Sequence, residues 1–308
     1  MGHAGGHRSR RRGTGERRLC LQHRGRHPHR WRVAYSTPLE RCLSRDGKSE
    51  IRGMSELVNL HVDGPIARLT LGRAEKLNAL TIPMLEGLDA ACARLERADT
   101  VRVVLVDSSN PKAFCAGADI AEWGALSAQD MWRLWTRIGH RIFDRLAAVP
   151  QPTMALIHGM AFGGGLELAL ACDLRLATAD ARFGMPEVKV GAIQGWGGTK
   201  RLARLVGVGR AKQMIFRAMQ IDATTALRWG LVEEVVDASE LHRHAQEIAA
   251  EIAAGAPGAV RLAKQLIDLE VGGLSAETIA AGLAASFEDG REGVAAFNEK
   301  RPAQFKGL

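Results

Sequence analysis

GMAFGGGLELALACDLRLA, residues 159–177, decides the fold because it sets a glycine triplet between a strand and a helix. The preceding TMALIHG (153–159) is strand-like, a helix is predicted from about residue 166 to 172, and DLRLATA (173–179) is strand-like again. The apolar stretch 154–177 is long enough to span a bilayer, but a carboxylate within it, Glu167, costs roughly 2.5–3.5 kcal/mol on insertion scales. We therefore expect a strand–loop–helix unit in a soluble α/β core and no membrane span.

The net positive charge of the 308-residue chain, +8, comes entirely from its N-terminal arm. Residues 1–53 hold 14 Lys and Arg against 4 Asp and Glu, whereas residues 54–308 hold 28 against 30. A nucleic-acid-binding tail and a transit peptide are both Arg-rich and stay open as interpretations of the arm. The arm has no apolar periodicity and Met54 opens a sequence typical of an ordinary N-terminus, so we predict that residues 1–53 are a disordered basic extension.

Beyond Met54, the sequence predicts strands mixed with helices and then helices alone. Residues 58–72 alternate as a hairpin with Asp63-Gly64 at the turn, and residues 127–149 form an amphipathic helix. Further strands are predicted at 101–109, 153–159, 173–179 and 187–192, and further helices at 83–98, 199–206, 208–218, 223–229, 238–254, 257–270 and 275–298. This order is typical of an α/β core followed by a helical C-terminal region.

Several site classes are excluded by spacing. The cysteines form no CxxC pair, which argues against a disulfide framework or a zinc site and favours a reducing compartment. The glycine triplet is not GxGxxG and no GxxxxGK[ST] occurs, so dinucleotide-binding and P-loop sites are excluded as well. The cysteines are Cys20, Cys42, Cys92, Cys115 and Cys172.

Two glycine-containing segments, KAFCAGADIAEW (112–123) and HGMAFGGGLELALACD (158–173), are candidates for a site built from backbone amides. Small residues allow close approach of N–H groups, and the first N–H groups of a helix have no intrahelical acceptor. Two such turns facing one another would form an oxyanion hole.

Two carboxylates stand near these turns in the sequence. Glu167, in the first turn of an apolar helix, is either a partner of the helix dipole or a functional acid. Glu187, directly after a proline, is either a surface acid paired with Lys189 or a functional one. Beside an oxyanion hole, the two carboxylates together form a candidate pair for general acid–base chemistry.

From about Glu56 to Leu308, the chain resembles the enoyl-CoA hydratase/isomerase (crotonase) family. The resemblance is carried by seven motifs in the family's order: AEKLNAL (74–80), AFCAGADI (113–120), residues 159–177, FGMPEVKVG (183–191), GGTKRL (197–202), GLVEEVV (230–236) and REGVAAFNEKRPAQF (291–305). It implies a crotonase-type ββα spiral core over residues 54–250 and a helical oligomerisation region over residues 251–308. It also implies assembly as a homotrimer or homohexamer.

The resemblance also implies roles for individual residues. The N–H groups of Ala118 and Gly164 would hold the carbonyl oxygen of an acyl-CoA thioester. Glu167 and Glu187 would flank a water above the C2=C3 bond, one activating the water and the other, Glu187, supplying the C2 proton.

Two further segments match those that line coenzyme A in the family. Lys76 and Ala79 lie in the first, and Ala116, Asp119 and Ile120 lie in the second. Coenzyme A is then part of the substrate, and neither a separate cofactor nor a metal is expected.

The sequence thus predicts an enoyl-CoA hydratase that adds water reversibly and syn to trans-2-enoyl-CoA, giving 3-hydroxyacyl-CoA in acyl-CoA degradation. The alternatives are an enoyl-CoA isomerase, a hydratase of a branched or aromatic acyl-CoA, an RNA-binding protein, or a non-catalytic CoA-binding protein. Nucleic acid is not expected as a partner of the body, because the helix predicted at 83–98 mixes acids with arginines. The absence of an evident signal peptide favours the cytoplasm, with the mitochondrial matrix as the alternative if the arm is native.

The sequence departs from the family pattern after the second carboxylate. Many members have Ile/Phe-Pro-Gly and then a small residue where this chain has Ile193-Gln194-Gly195 and then Trp196. The Trp196 indole either restricts or selects the acyl group or packs in the core. Trp123 and Trp132 fall where the family's variable acyl-pocket wall lies, as does Trp135, which we expect in the core.

Overall fold

The computed structural model describes residues 57–269 and 273–307. The predicted basic extension, residues 1–53, lies outside the described residues. The strands are β1 (Val58–Asp63), β2 (Ile66–Leu71), β3 (Val103–Ser108), β4 (Ala113–Cys115), β5 (Thr153–Ile157), β6 (Met160–Phe162), β7 (Leu174–Thr178), β8 (Arg182–Gly184), β9 (Gln220–Asp222) and β10 (Glu234–Val236). The helices are α1 (Ile82–Leu95), α2 (Ile120–Trp123), α3 (Ala128–Asp130), α4 (Arg137–Ala148), α5 (Gly164–Leu170), α6 (Gly198–Val206), α7 (Val208–Phe216), α8 (Ala223–Trp229), α9 (Leu241–Ala253), α10 (Pro257–Asp268), α11 (Leu274–Ser286) and α12 (Glu288–Glu299).

A six-stranded sheet with the order β1-β2-β3-β5-β7-β10 forms the larger layer. Its first two strands are antiparallel and form the predicted hairpin, while every later neighbour is parallel. Successive residues of β3 point to opposite faces: Val104 and Val106 belong to the main core, and Val103 and Leu105 pack with α9. Burial on both faces explains why this strand is apolar without alternation.

The second sheet has the order β4-β6-β8-β9 and is built from strands of three residues each. Its first three strands each follow a strand of the larger sheet: β4 follows β3, β6 follows β5 and β8 follows β7. Helices follow each pair, so the middle of the chain repeats a strand–strand–helix unit. The α/β class and the helical C-terminal region are therefore as predicted.

Two predicted elements are wrong. Residues 187–192, expected as a strand, contain a 3₁₀ helix over Glu187–Val190 that ends at Gly191 in the left-handed region. Val188 and Val190 are exposed, so their alternation reflects no buried sheet face. The single helix expected at 275–298 is two helices, α11 and α12, because Phe287 between them has an extended backbone (ψ 152°).

The helix predicted at 127–149 is present as α3, a π-helical stretch over Met131–Thr136, and α4. Trp135 is buried there as expected, and Trp132 is 66 % exposed. Trp196 is also buried, with its ring centroid 5.4 Å from that of Trp135 and 5.1 Å from that of Phe143. These three rings form an aromatic cluster between α4 and the segment that leads into α6.

Two acidic side chains, one on α1 and one at its C-cap residue, are paired with an arginine of α4. Arg145 of α4 bonds Asp89 at 2.9 Å and Glu96 at 2.6 Å. The mixed charge that the sequence predicted for this helix is thus partly engaged in ion pairs. Over residues 57–269 and 273–307, no helix combines the length and apolarity needed to cross a membrane.

Substitution of Gly139 by alanine should test the packing of the aromatic cluster. A Cβ atom at Gly139 would lie 2.6 Å from Cδ1 of Trp196, so the indole or α4 must move. We expect Gly139→Ala to lower the free energy of unfolding by about 1–3 kcal/mol, the usual cost of overpacking. Gly209→Ala in α7 is the matched control, because no atom lies within 4 Å of its added Cβ. It should leave stability unchanged or raise it by up to about 1 kcal/mol. Urea denaturation of the two variants measures the difference, and equal stabilities would contradict the packing described.

Candidate active site

A turn that only glycine can adopt joins β6 to α5. Gly163 has φ 51° and ψ −125°, a conformation that side chains forbid. Opposite it, Gly117 has φ 114°, and a Cβ there would lie 2.9 Å from the carbonyl oxygen of Phe162. The two glycine-containing segments identified in the sequence therefore meet backbone to backbone.

The amides of Ala118 and Gly164 are left free by this arrangement. The N–H of Leu80 donates to the carbonyl of Gly117 at 2.7 Å, and the N–H of Asp119 donates to the carbonyl of Leu80 at 2.8 Å. Since these bonds face Leu80, the intervening N–H of Ala118 points the other way. Gly164 is the first residue of α5, so its N–H has no intrahelical acceptor.

The two free amides lie close together. A Cβ built on Gly164 would be 3.4 Å from the Ala118 nitrogen, and one built on Gly117 would be 3.6 Å from the Gly164 nitrogen. Within residues 57–269 and 273–307, neither N–H donates to a protein acceptor. Two convergent, unpaired donors at a helix N-terminus are suited to an oxygen that develops negative charge.

The Glu167 carboxylate is buried, with 2 % of the residue exposed. Its Oε1 accepts hydrogen bonds from the backbone N–H groups of Trp196 and Gly198, each at 2.8 Å. Burial above all, with a smaller contribution from the nearby charge of Glu187, raises the pKa of Glu167 to about 7 against the opposing effect of these hydrogen bonds. The carboxyl therefore exchanges its proton close to neutral pH, as a general acid or base requires.

The Glu187 carboxylate lies against the glycine turn at Gly163. Its Oε1 is buried and has no hydrogen-bond partner among the described residues, and it lies 3.2 Å from where a Cβ of Gly163 would be. Its Oε2 accepts a hydrogen bond from Nε2 of Gln194 at 2.8 Å. Burial raises the pKa of Glu187, although the bond from Gln194 opposes this effect. The alternative of a surface acid paired with Lys189 is wrong.

The segments predicted to line coenzyme A run side by side. The N–H of Ala116 donates to the carbonyl of Leu77 at 2.9 Å, and Nη1 of Arg73 bonds both the carbonyl of Ala79 and Oδ2 of Asp119. Burial opposes the charge of Asp119, but its hydrogen bonds from Arg73 and the α2 amides lower its pKa overall.

Exposure divides the five predicted CoA-lining residues. Lys76 and Ile120 are exposed, whereas Ala79, Ala116 and Asp119 are half-buried. The contact of these five residues with coenzyme A stays a prediction.

Asn78 holds the first of these segments in an unusual conformation. Leu77 and Asn78 both have positive φ, 51° and 55°. The Asn78 side chain fixes the turn: its Oδ1 accepts from the N–H of Arg73, and its Nδ2 donates to Oγ of Ser108 and the carbonyl of Phe114. Only an amide supplies both an acceptor and donors here.

Three contributions to the site were not assigned from the sequence. Gln194 holds Glu187, and the backbone N–H groups of Trp196 and Gly198 hold Glu167. The departure Ile193-Gln194-Gly195 was visible, but amide–carboxylate pairing across seven residues has no sequence signal. Among the described residues, no three His, Cys, Asp or Glu side chains are grouped to hold a metal ion.

The raised pKa of Glu167 predicts a pH dependence of stability. The unfolded chain releases this proton near pH 4.5 and the folded protein near pH 7, so between these values the unfolded state binds fewer protons. The free energy of unfolding should therefore fall as pH rises from 4.5 to 7 and level off above. Between pH 5 and 8, this carboxyl should account for a loss of about 2.5 kcal/mol, which Glu167→Gln removes.

Urea denaturation at a series of pH values measures the loss in the wild type and in Glu167→Gln. Glu251→Gln, which removes an exposed carboxylate from α9, controls for the change in net charge. Parallel curves for Glu167→Gln and the wild type would contradict the raised pKa.

Comparison with known proteins agrees with this geometry. Residues 62–308 match the family model described as enoyl-CoA hydratase/isomerase. The chain is 42 % identical over 250 residues to the short-chain-enoyl-CoA hydratase of Clostridium acetobutylicum, covering 79 % of this chain and 95 % of the relative. It is 38 % identical over 256 residues to the crotonyl-CoA hydratase of Syntrophomonas wolfei, covering 81 % and 98 %.

A solved structure of an enoyl-CoA hydratase from Bacillus anthracis superposes with a TM-score of 0.79 at 37 % identity, covering 82 % of this chain and all of that one. The predicted crotonase-type fold is thereby confirmed. The match extends through both carboxylate-bearing segments and the helical C-terminal region. The chain belongs to the enoyl-CoA hydratase/isomerase family.

Proposed function

We propose that this protein is an enoyl-CoA hydratase that adds water reversibly to trans-2-enoyl-CoA and gives 3-hydroxyacyl-CoA. One observation carries the proposal: the buried carboxyl of Glu167 and the half-buried Glu187, near enough for the charge of one to act on the other, lie beside two unpaired backbone N–H donors. The relatives named as short-chain-enoyl-CoA and crotonyl-CoA hydratases support the same reaction.

The two amides are the electrophilic half of the proposed site. Attack on C3 of an enoyl thioester moves electrons onto the carbonyl oxygen and forms an enolate. The fixed N–H groups of Ala118 and Gly164 would bind that oxygen without reorganising. Losing one such donor typically costs about 2.7–4 kcal/mol in the barrier.

The two carboxyl groups are the proton-transfer half. Glu167 as carboxylate takes a proton from water while the water oxygen bonds to C3, and Glu187 as acid gives its proton to C2. The elements of water are then added across the double bond, and one proton has passed from Glu187 to Glu167 in net terms. The pKa of Glu167, about 7, keeps both of its protonation states accessible near neutral pH, and burial raises the pKa of Glu187, which favours the acid form that gives up a proton.

The unpaired Oε1 of Glu187 supports a water-using reaction over a simple isomerisation. A buried carboxylate oxygen without a protein donor is costly unless a water or ligand binds it. A water held between Glu187 and Glu167 would supply that donor. Isomerisation of a double bond needs only one acid–base group, so the second carboxylate has a role in hydration alone.

Other parts of the proposal rest on the sequence. The acyl-CoA thioester is the substrate, its coenzyme A lies along residues 76–79 and 116–120, and no separate cofactor is needed. A homotrimer or homohexamer, a cytoplasmic location and a role in fatty-acid or related acyl-CoA degradation belong to the same proposal.

Purified protein incubated with crotonyl-CoA should remove the absorbance of the enoyl thioester. Glu167→Gln and Glu187→Gln should each lower kcat by about 100-fold or more, since positioned proton transfer contributes roughly 10²–10⁴ in rate. KM should change little, because neither carboxyl is proposed to hold coenzyme A. Glu251→Gln, on the exposed face of α9, should retain wild-type turnover.

A parallel incubation with a 3-enoyl-CoA separates hydratase from isomerase. An isomerase would generate enoyl-thioester absorbance from this substrate, whereas a hydratase of 2-enoyl-CoA would not. Faster appearance of absorbance from 3-enoyl-CoA than its loss from crotonyl-CoA would overturn the hydratase assignment in favour of isomerisation.

A further inference from the structure

Trp196 touches both halves of the proposed site although its side chain is buried in the core. Its backbone N–H donates to Oε1 of Glu167 at 2.8 Å. Its indole lies against Gly164: a Cβ on that glycine would be 2.6 Å from Cζ3 and 3.0 Å from Cε3. One residue therefore contacts the proton-transfer carboxylate through its backbone and the first turn of α5 through its ring.

The indole of Trp196 also packs against residues of α4 and of the π-helical stretch before it. It packs against the Cα of Gly139, edge-on to Phe143 and tilted against Trp135. Only 2 % of Trp196 is exposed. Glycine at 139 and at 164 leaves room for the ring on both sides, so the ring spans the distance between α4 and α5.

We propose that Trp196 is a positioning residue, whose indole fixes the spacing between the start of α5 and the segment 196–198 that holds Glu167. The expected effects on kcat rest on the proposed function. The expected effects on stability rest on the packing alone. The indole packs on the first turn of α5 at Gly164, while the backbone N–H groups of residues 196 and 198 hold the Glu167 carboxylate of the same helix. Removal of the indole lets α5 and residues 196–198 shift relative to one another, which changes the angle at which the Gly164 amide and the Glu167 carboxylate meet a substrate.

The kinetic test uses Trp196→Ala and Trp196→Phe with crotonyl-CoA as substrate. We expect kcat per folded protein to fall about 100-fold for Trp196→Ala, the effect typical of a 1 Å misplacement. KM should stay within about threefold, and Trp196→Phe, which keeps an aromatic ring, should retain at least about a tenth of the wild-type kcat. Trp229→Ala is the matched control, because Trp229 is a half-buried tryptophan of α8 whose ring stacks with Arg210, a residue that is not proposed for the site. It should lose stability but keep kcat.

A double variant tests the packing of the indole directly and guards against misfolding of Trp196→Ala. Gly139→Ala pushes on the indole and should lower kcat as well as stability. Because phenylalanine is smaller than tryptophan, combining Trp196→Phe with Gly139→Ala should restore part of the kcat and part of the stability that Gly139→Ala loses. Independent, additive effects of the two substitutions cannot produce such a recovery. Additive losses in kcat would overturn the proposal.

A readout independent of activity is the pH dependence of unfolding between pH 5 and 8. The indole shields Glu167 from water in this proposal. In Trp196→Ala, the fall in the free energy of unfolding between pH 5 and 8 that is attributed to Glu167 should therefore shrink by at least half. An unchanged pH dependence together with unchanged kcat would overturn the positioning role. Retained kcat on crotonyl-CoA with new turnover of decenoyl-CoA would also overturn it, because the indole would then be a wall of the acyl pocket.

The failures of the two proposals are distinguishable. If the wild type hydrates no enoyl-CoA but Trp196→Ala loses the pH dependence of unfolding, the proposed reaction is wrong and the packing role of Trp196 stands. If the wild type is an active hydratase and Trp196→Ala behaves like Trp229→Ala in every measurement, only the positioning role is wrong.

Discussion

The burial of the Glu167 carboxylate is the constraint on which the rest of the site depends. Removing a carboxylate from water costs several kcal/mol unless hydrogen bonds replace the lost hydration. Here the replacement comes from the N–H groups of Trp196 and Gly198, which lie about thirty residues further along the chain. A pKa of about 7 means that this replacement is incomplete at neutral pH. The same partial compensation makes the group able to exchange a proton where the enzyme works.

The second requirement is that the backbones of the two glycine-containing segments approach closely. This requirement explains the positions of the glycines. Gly117 packs against the carbonyl of Phe162, and Gly165 packs against the carbonyl of Cys115. A side chain at either position would separate the segment of Ala118 from α5. The two unpaired amides are therefore a consequence of strand–helix packing between β4, β6 and α5, and each is oriented by bonds made elsewhere on the backbone.

The sequence was sufficient for the elements whose apolar pattern matches their environment. β3 and β5 are buried on both faces and were visible as apolar runs, and α4 was visible through its amphipathic period. The strands of the second sheet were missed because three residues are too few to show a period. The segment at Glu187 was misread because Val188 and Val190 alternate like a strand while lying exposed on a 3₁₀ turn. The alternation of two valines in the sequence does not show whether a neighbouring strand is present for them to pair with.

The candidate site, too, contains residues that were assigned from the sequence and others that were not. The residues proposed to contact substrate, Ala118, Gly164, Glu167 and Glu187, were assigned through short motifs and the family resemblance that these motifs carry, and their contact with substrate stays a prediction. The groups that hold those residues in place were not, since backbone amides at 196 and 198 carry no side-chain signature and Gln194 acts across a turn. Trp196 belongs to both classes: its bulk was conspicuous in the sequence, but its burial against Gly139 and Gly164 depends on two helices distant in the chain. A departure from a family pattern thus indicates where to look, and only the packing around it determines whether the residue faces the substrate or supports the residues that do.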